Sequence, residues 1–213
     1  MPASIRPFLA SALTIAILLL CSCSPSTPPT SADQGTAKAA ESTSASEPVT
    51  AKTAYWEMYK LAYKWTPDFV VLRMVPKEIP GVKSDGGKAA LWEGTFASPS
   101  RKEYRVFSYA VVAHSPDIYK GVTVGNPAPW GGVTREVMPV AMSSVNIDSD
   151  AAYATATSDA ASWLKKNGEK SLSSFQLGNG YSFPAPVWYF MWGDKKLGYA
   201  VFVNATTGKV MKK

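Results

Sequence analysis

The sequence predicts an α+β protein: two tandem modules, each a helix followed by three antiparallel strands (α-β-β-β), behind a cleaved signal segment and a disordered linker. Three observations predict it. An amphipathic helical stripe followed by three short β-rich runs occurs twice, and turn residues punctuate the gaps between the runs. The helix starts near Tyr55 and Ala151 lie 96 positions apart, and so do Trp92 and Trp188 in the middle strands, the mark of a duplication.

In the first copy, 53–65 reads as a helix because Tyr55, Met58, Leu61, Ala62 and Trp65 form one apolar stripe, with Glu57, Lys60 and Lys64 opposite. Thr66-Pro67 ends it, since the residue before a proline is pushed out of the helical region. Strands follow at 69–75, 89–96 and 103–112, with Gly86-Gly87 and Ser98-Pro99-Ser100 as turns. The last of these looks covered on both faces. The segment 119–147 adds one or two strands between the copies.

The second copy opens at Asp148, an N-cap candidate, and continues as a helix over 149–166 with Ala152, Ala156, Ala160, Trp163 and Leu164 on one face. Lys165 and Lys166 suit a helix C-terminus, and Asn167-Gly168 stops it. Strands are expected at 172–177, 187–192 and 198–203. The domain reading is therefore 1–22 signal segment, 23–51 linker, 52–147 first copy with connecting strands, and 148–213 second copy.

The N-terminal segment carries Arg6 and then 13 uncharged residues from Phe8 to Leu20. That run is too short to span a bilayer, which takes roughly 20 residues, and it suits a secretory signal. Leu20-Cys21-Ser22-Cys23 resembles the lipobox of bacterial lipoproteins. The resemblance implies cleavage before Cys23 and diacylation of its thiol. It also implies an envelope location, at the outer membrane facing the periplasm in a two-membrane host, because Ser24 rather than Asp follows. Of the 28 positions 24–51, 21 are Ser, Thr, Ala or Pro and none is aromatic, so the segment is expected to be a disordered tether of about 30 Å.

The stretch Pro186-Val187-Trp188, with Gly198–Val203 and the closing Asn204-Ala205-Thr206-Thr207-Gly208-Lys209-Val210, resembles the end of a PepSY module. Asp148-Ser149 and the Ala-rich helix match that module's usual start. The resemblance covers about 65 residues and is faint in the first copy, which lacks the Thr-Gly turn. It implies a small non-catalytic binding module, in some members linked to peptidase inhibition. Tandem copies also resemble the architecture of the beta-lactamase inhibitor proteins at the level of fold.

Chemistry is restricted by composition. The only cysteines are Cys21 and Cys23 and the only histidine is His114, so the folded part offers no thiolate site and no His-rich metal site. His114-Ser115-Pro116-Asp117 holds the residue types of a hydrolase triad, but such close neighbours do not converge on one another, and no G-x-S-x-G elbow exists. Asp148-Ser149-Asp150 reads as a helix cap. Ser162-Trp163-Leu164-Lys165 matches S-x-x-K at the wrong end of a helix. No cofactor, metal or catalytic residue is assigned. A net charge of +6 in an exported chain favours anionic lipid, wall polymer or an acidic partner over nucleic acid.

Among the aromatics, Trp56, Trp65, Trp92, Trp163, Trp188 and Trp192 fall on helix or strand positions, and at least four are expected in the core. Trp130 differs: it stands among turn residues in Asn126-Pro127-Ala128-Pro129-Trp130-Gly131-Gly132, where it either plugs the junction between copies or anchors a partner. Tyr119 and Arg135 flank that loop and share its assignment. The expectation is a membrane-anchored, non-enzymatic lipoprotein that binds an envelope protein or peptide through an exposed sheet face. An envelope hydrolase using carboxylates and a structural or assembly lipoprotein are the alternatives.

Overall fold

A computed structural model describes residues 47–168, 170–180, 182–183 and 185–212. The expected signal segment, Cys23 and most of the linker lie outside the described residues. Helix α1 spans Ala51–Trp65, starting two positions earlier than the hydrophobic stripe alone indicates, because the Thr50 side chain accepts from Thr53 N–H as an N-cap. It buries Ala51, Ala54, Tyr55, Met58 and Ala62 and stops at Thr66, before Pro67. Strands β1 (Val70–Lys77), β2 (Leu91–Ser98) and β3 (Glu103–Ala110) follow, then the short β4 (Gly121–Val124) and β5 (Ala128–Pro129). Helix α2 covers Ser149–Lys166, with Asp148 as cap and Asn167 and Gly168 closing it as expected. Strands β6 (Leu172–Gly178), β7 (Val187–Trp192), β8 (Tyr199–Asn204) and a short β9 (Val210–Met211) complete the chain.

All nine strands among the described residues lie in one antiparallel sheet, in the order β4-β3-β2-β1-β6-β7-β8-β9, with β5 beside β3. Both helices cover the same face, α1 over β2–β4 and α2 over β7–β9. One core unites them: Met58, Met74, Trp92, Phe96 and Phe107 continue into Phe175, Leu177, Trp188, Phe190 and Val201. The first strands of the two halves, β1 and β6, meet at the centre, where only Arg73 with Gly178 and Met74 with Leu177 are in register. Beside these rungs the connecting chain acts as a strap, Val140 N–H donating to Val71 C=O (2.7 Å) and Met138 N–H to Asn179 C=O (3.1 Å).

The helix N-termini are bound to each other. Asp148 Oδ1 accepts from Ser149 N–H (2.7 Å) and from Lys52 N–H of the other helix (3.1 Å), while buried Ser149 Oγ accepts from Ala51 N–H (3.0 Å). These side chains satisfy donors that a helix start otherwise leaves unpaired. Gly87, at φ +79°, presses on the same spot: a Cβ there would lie 2.3 Å from Ser149 C=O. The fully buried indoles of Trp92 and Trp188 donate to Val49 C=O and Ile147 C=O, each at 2.9 Å. Each acceptor stands two positions before its helix begins.

At the level of faces one of the six tryptophans lies outside the core, and the expectation for strand β3 fails. Trp56 is not core: it is 54% exposed, because its neighbour Tyr55 takes the inward position and a step of about 100° turns Trp56 outward. Trp92, Trp188 and Trp192 are buried, and Trp65 and Trp163 pack half-buried against the core. Strand β3 is not covered on both faces. Its Phe107 and Tyr109 meet the helices, whereas Tyr104 and Val106 face the other way, half-exposed.

Candidate binding groove

The helix-free face of the sheet carries a groove of about 850 Å³ that crosses the centre from one half to the other. Its floor follows the strand register. Val106, Thr95, Arg73, Gly178 and Val187 form one cross-strand row through β3, β2, β1, β6 and β7, all lining the groove. Residues paired this way project from the same face of the sheet. Gly178 supplies no side chain at the centre, and a Cβ there would meet nothing within 4 Å, so the floor is open at that point. Beside it Gln176, Tyr189 and Phe202 form a second row, also on the groove. Tyr189 and Phe202 rings lie 5.2 Å apart, and Phe183 extends the cluster at 4.8 Å from Phe202.

Arg73 reaches this face because β1 bulges between Val71 and Arg73. The extra residue rephases the strand, leaving Val71 and Met74 in the core while Leu72 and Arg73 line the groove. Arg73 is exposed and, among the described residues, enters no ion pair. Burial pushes the Tyr189 phenol above its ordinary pKa, so at neutral pH it is a neutral hydrogen-bond donor on the groove wall. Glu136 is the one carboxylate among the described lining residues.

Trp130 forms part of the rim. It is half-buried, lines the groove with Gly131 and Gly132, and is held through its backbone by an N–H donated to Lys102 C=O (2.9 Å). The junction between halves is closed by Met138 and Val140 instead. Arg135 lies in the same loop, exposed, but does not line the groove. Tyr119 is elsewhere. Pro129 pairs with Glu103 at the start of β3, whereas Gly121 pairs with Ala110 at its end, so Tyr119 and Trp130 stand roughly 23 Å apart along the strand. Tyr119 is 66% exposed and does not join the groove. His114 sits in a short bridge with Ile118, and no metal-holding cluster occurs among the described residues.

Sequence reasoning singled out an exposed sheet face and the Trp130 loop, and it did not name the groove residues Arg73, Tyr189 and Phe202. The parity of β7 and β8 carried the signal for the last two: Tyr189 lies between core residues Trp188 and Phe190, and Phe202 between Val201 and Val203.

No family model matches the chain, and no curated protein matches it. Among solved structures, a candidate lipoprotein from Clostridium difficile 630 is similar at 10% identity and a TM-score of 0.47, over 75% of this chain and 90% of that one. Among the described residues, no helix is long and apolar enough to cross a membrane.

Proposed function

We propose that this chain is a lipid-anchored lipoprotein of the cell envelope that seats a protein loop or peptide in the groove of its sheet and catalyses no reaction. The observation that carries the reading is the groove itself: a preformed cleft lined by Tyr104, Trp130, Tyr189, Phe183 and Phe202 around one unpaired cation. Aromatic side chains around a few polar groups are what protein recognition surfaces use. Arg73 at the floor favours a guest with a carboxylate, and the neutral Tyr189 hydroxyl offers it a donor. Acylation of Cys23 rests on the lipobox resemblance, and Ser24 after it supports a location at the outer membrane of a two-membrane host. The recurring helix-and-strands order and the matched Trp92 and Trp188 hydrogen bonds support tandem PepSY-like copies. With that resemblance the proposal extends to inhibition, if the guest is the rim of an envelope peptidase or hydrolase.

The test is capture by the full chain, extracted from membranes in detergent, with bound proteins identified and their affinity measured. Trp130→Ala and Tyr189→Ala are each expected to weaken capture by about 10- to 100-fold, the range for aromatic anchors. Tyr119→Ala, outside the groove, leaves it unchanged. Undiminished capture by both groove variants excludes the groove as the binding site.

A further inference from the structure

The outer side of α1 is an unusual surface. Trp56 and Tyr63 are 54% and 55% exposed, and with half-buried Tyr59 they form a continuous aromatic ridge one turn apart. Trp56 and Tyr59 rings are 5.3 Å apart and Tyr59 and Tyr63 stack at 5.9 Å. Lys52, Lys60 and Lys64 fall on the same side of the helical wheel, against one acid, Glu57, which is already paired with Lys60 at 2.9 Å. The exposed positions of α2, by contrast, carry charge but no aromatic ring; they include Ala151, Ala154, Ser158, Asp159, Lys165 and Lys166. Only one helix offers this chemistry.

We infer that the aromatic ridge of α1 seats on the surface of an anionic lipid bilayer, with its rings at headgroup level and its lysines on the phosphates. Tyr and Trp favour that depth because an apolar ring and a polar tip are both satisfied there. Lysine stems span the boundary while their ammonium groups stay in water. The position in the chain points to the same occupant, because α1 begins at Ala51, where the tether expected from Cys23 ends, within about 30 Å of the lipid. This argument rests on the proposed lipid anchor; the exposed ridge and its charge do not. Both helices lie on one face of the sheet and the groove on the other, so a seated α1 turns the groove away from the membrane towards incoming guests.

The experiment uses the full chain extracted from membranes and reconstituted into vesicles of phosphatidylcholine with phosphatidylglycerol, the acyl chains brominated to quench tryptophan fluorescence. Intact mass of the same sample reports acylation of Cys23. The expected result is quenching of which Trp56→Phe removes most, and which falls when Lys60→Glu and Lys64→Glu are combined or when phosphatidylglycerol is left out. Trp56 is exposed, so circular dichroism of the variant should match the parent. Equal quenching of parent and Trp56→Phe overturns the inference, and so does a ridge that becomes protected in lipid-free detergent as protein concentration rises, since its occupant is then a second copy. An unacylated mass with Trp56-dependent quenching removes the anchor and keeps the seat. An acylated mass without such quenching does the opposite.

Discussion

The carboxyl of Asp68 closes the corner where α1 hands over to β1. It accepts from the Thr66 hydroxyl, from Ser100 N–H at 2.8 Å and from Ser98 Oγ at 2.9 Å, joining that corner to the β2–β3 turn. These donors, the Thr66 hydroxyl foremost, hold its pKa well below the usual carboxylate range. A carboxyl depressed in the folded state is most stabilising when ionised. Its contribution is complete above the unfolded value of about 3.9 and is lost as pH falls from there through the folded value. Melting temperature is therefore expected to drop as the protein is acidified below about pH 4, and Asp68→Asn should melt lower at neutral pH with a shallower acid slope. Parallel acid slopes for parent and variant would remove Asp68 from that role. The tyrosines respond at the other extreme: burial, with Tyr59 nearby, pushes the Tyr55 hydroxyl up to about 12.

At the scale of elements, the meeting of the two helix starts is the most specific arrangement in the fold. Asp148 serves both helices with one carboxylate oxygen, so its loss unpairs Ser149 N–H and Lys52 N–H together. Asp148→Ala is expected to cost about 1–2 kcal/mol in urea unfolding, whereas Asp148→Asn, which keeps the acceptor, retains most of it. Equal losses for the two would show that charge rather than the hydrogen bonds matters. This element was also the most legible in the sequence: Asp148 before the helix and Asn167-Gly168 after it gave the observed bounds Ser149–Lys166. What sequence could not supply was the second partner, since Lys52 lies 96 positions away. Alternation along β3 showed which residues share a face but not which face the helices cover. The bulge that turns Arg73 into the groove has no signature in the residues around it. Tyr119 was joined to Trp130 by nearness along the chain, and the length of β3 separates them.

Across the whole molecule, the core runs unbroken beneath both helices, with Trp92 meeting Phe175 at 5.6 Å and Phe175 meeting Trp188 at the same distance. The halves therefore share their stability. Heat should unfold the described part in one transition by near- and far-ultraviolet dichroism alike, and Trp92→Ala or Trp188→Ala should each shift that whole transition, by about 3–5 kcal/mol. Two separable transitions, each sensitive to one tryptophan, would instead assign each half a core of its own. The α+β class was legible in the sequence, while the single continuous sheet depends on β1 and β6 pairing across a junction that no local pattern marks. That junction is joined by two register pairs and by the strap through Val140 and Met138, the same connection that supplies Thr134, Glu136 and Val137 to the groove wall. A guest touching Tyr104 on one side and Tyr189 on the other lies across the two-pair ladder at the centre of the sheet. Occupancy and cohesion then become one thermodynamic quantity, because whatever binds only the closed junction stabilises it by an amount that grows with the logarithm of one plus its concentration over its dissociation constant.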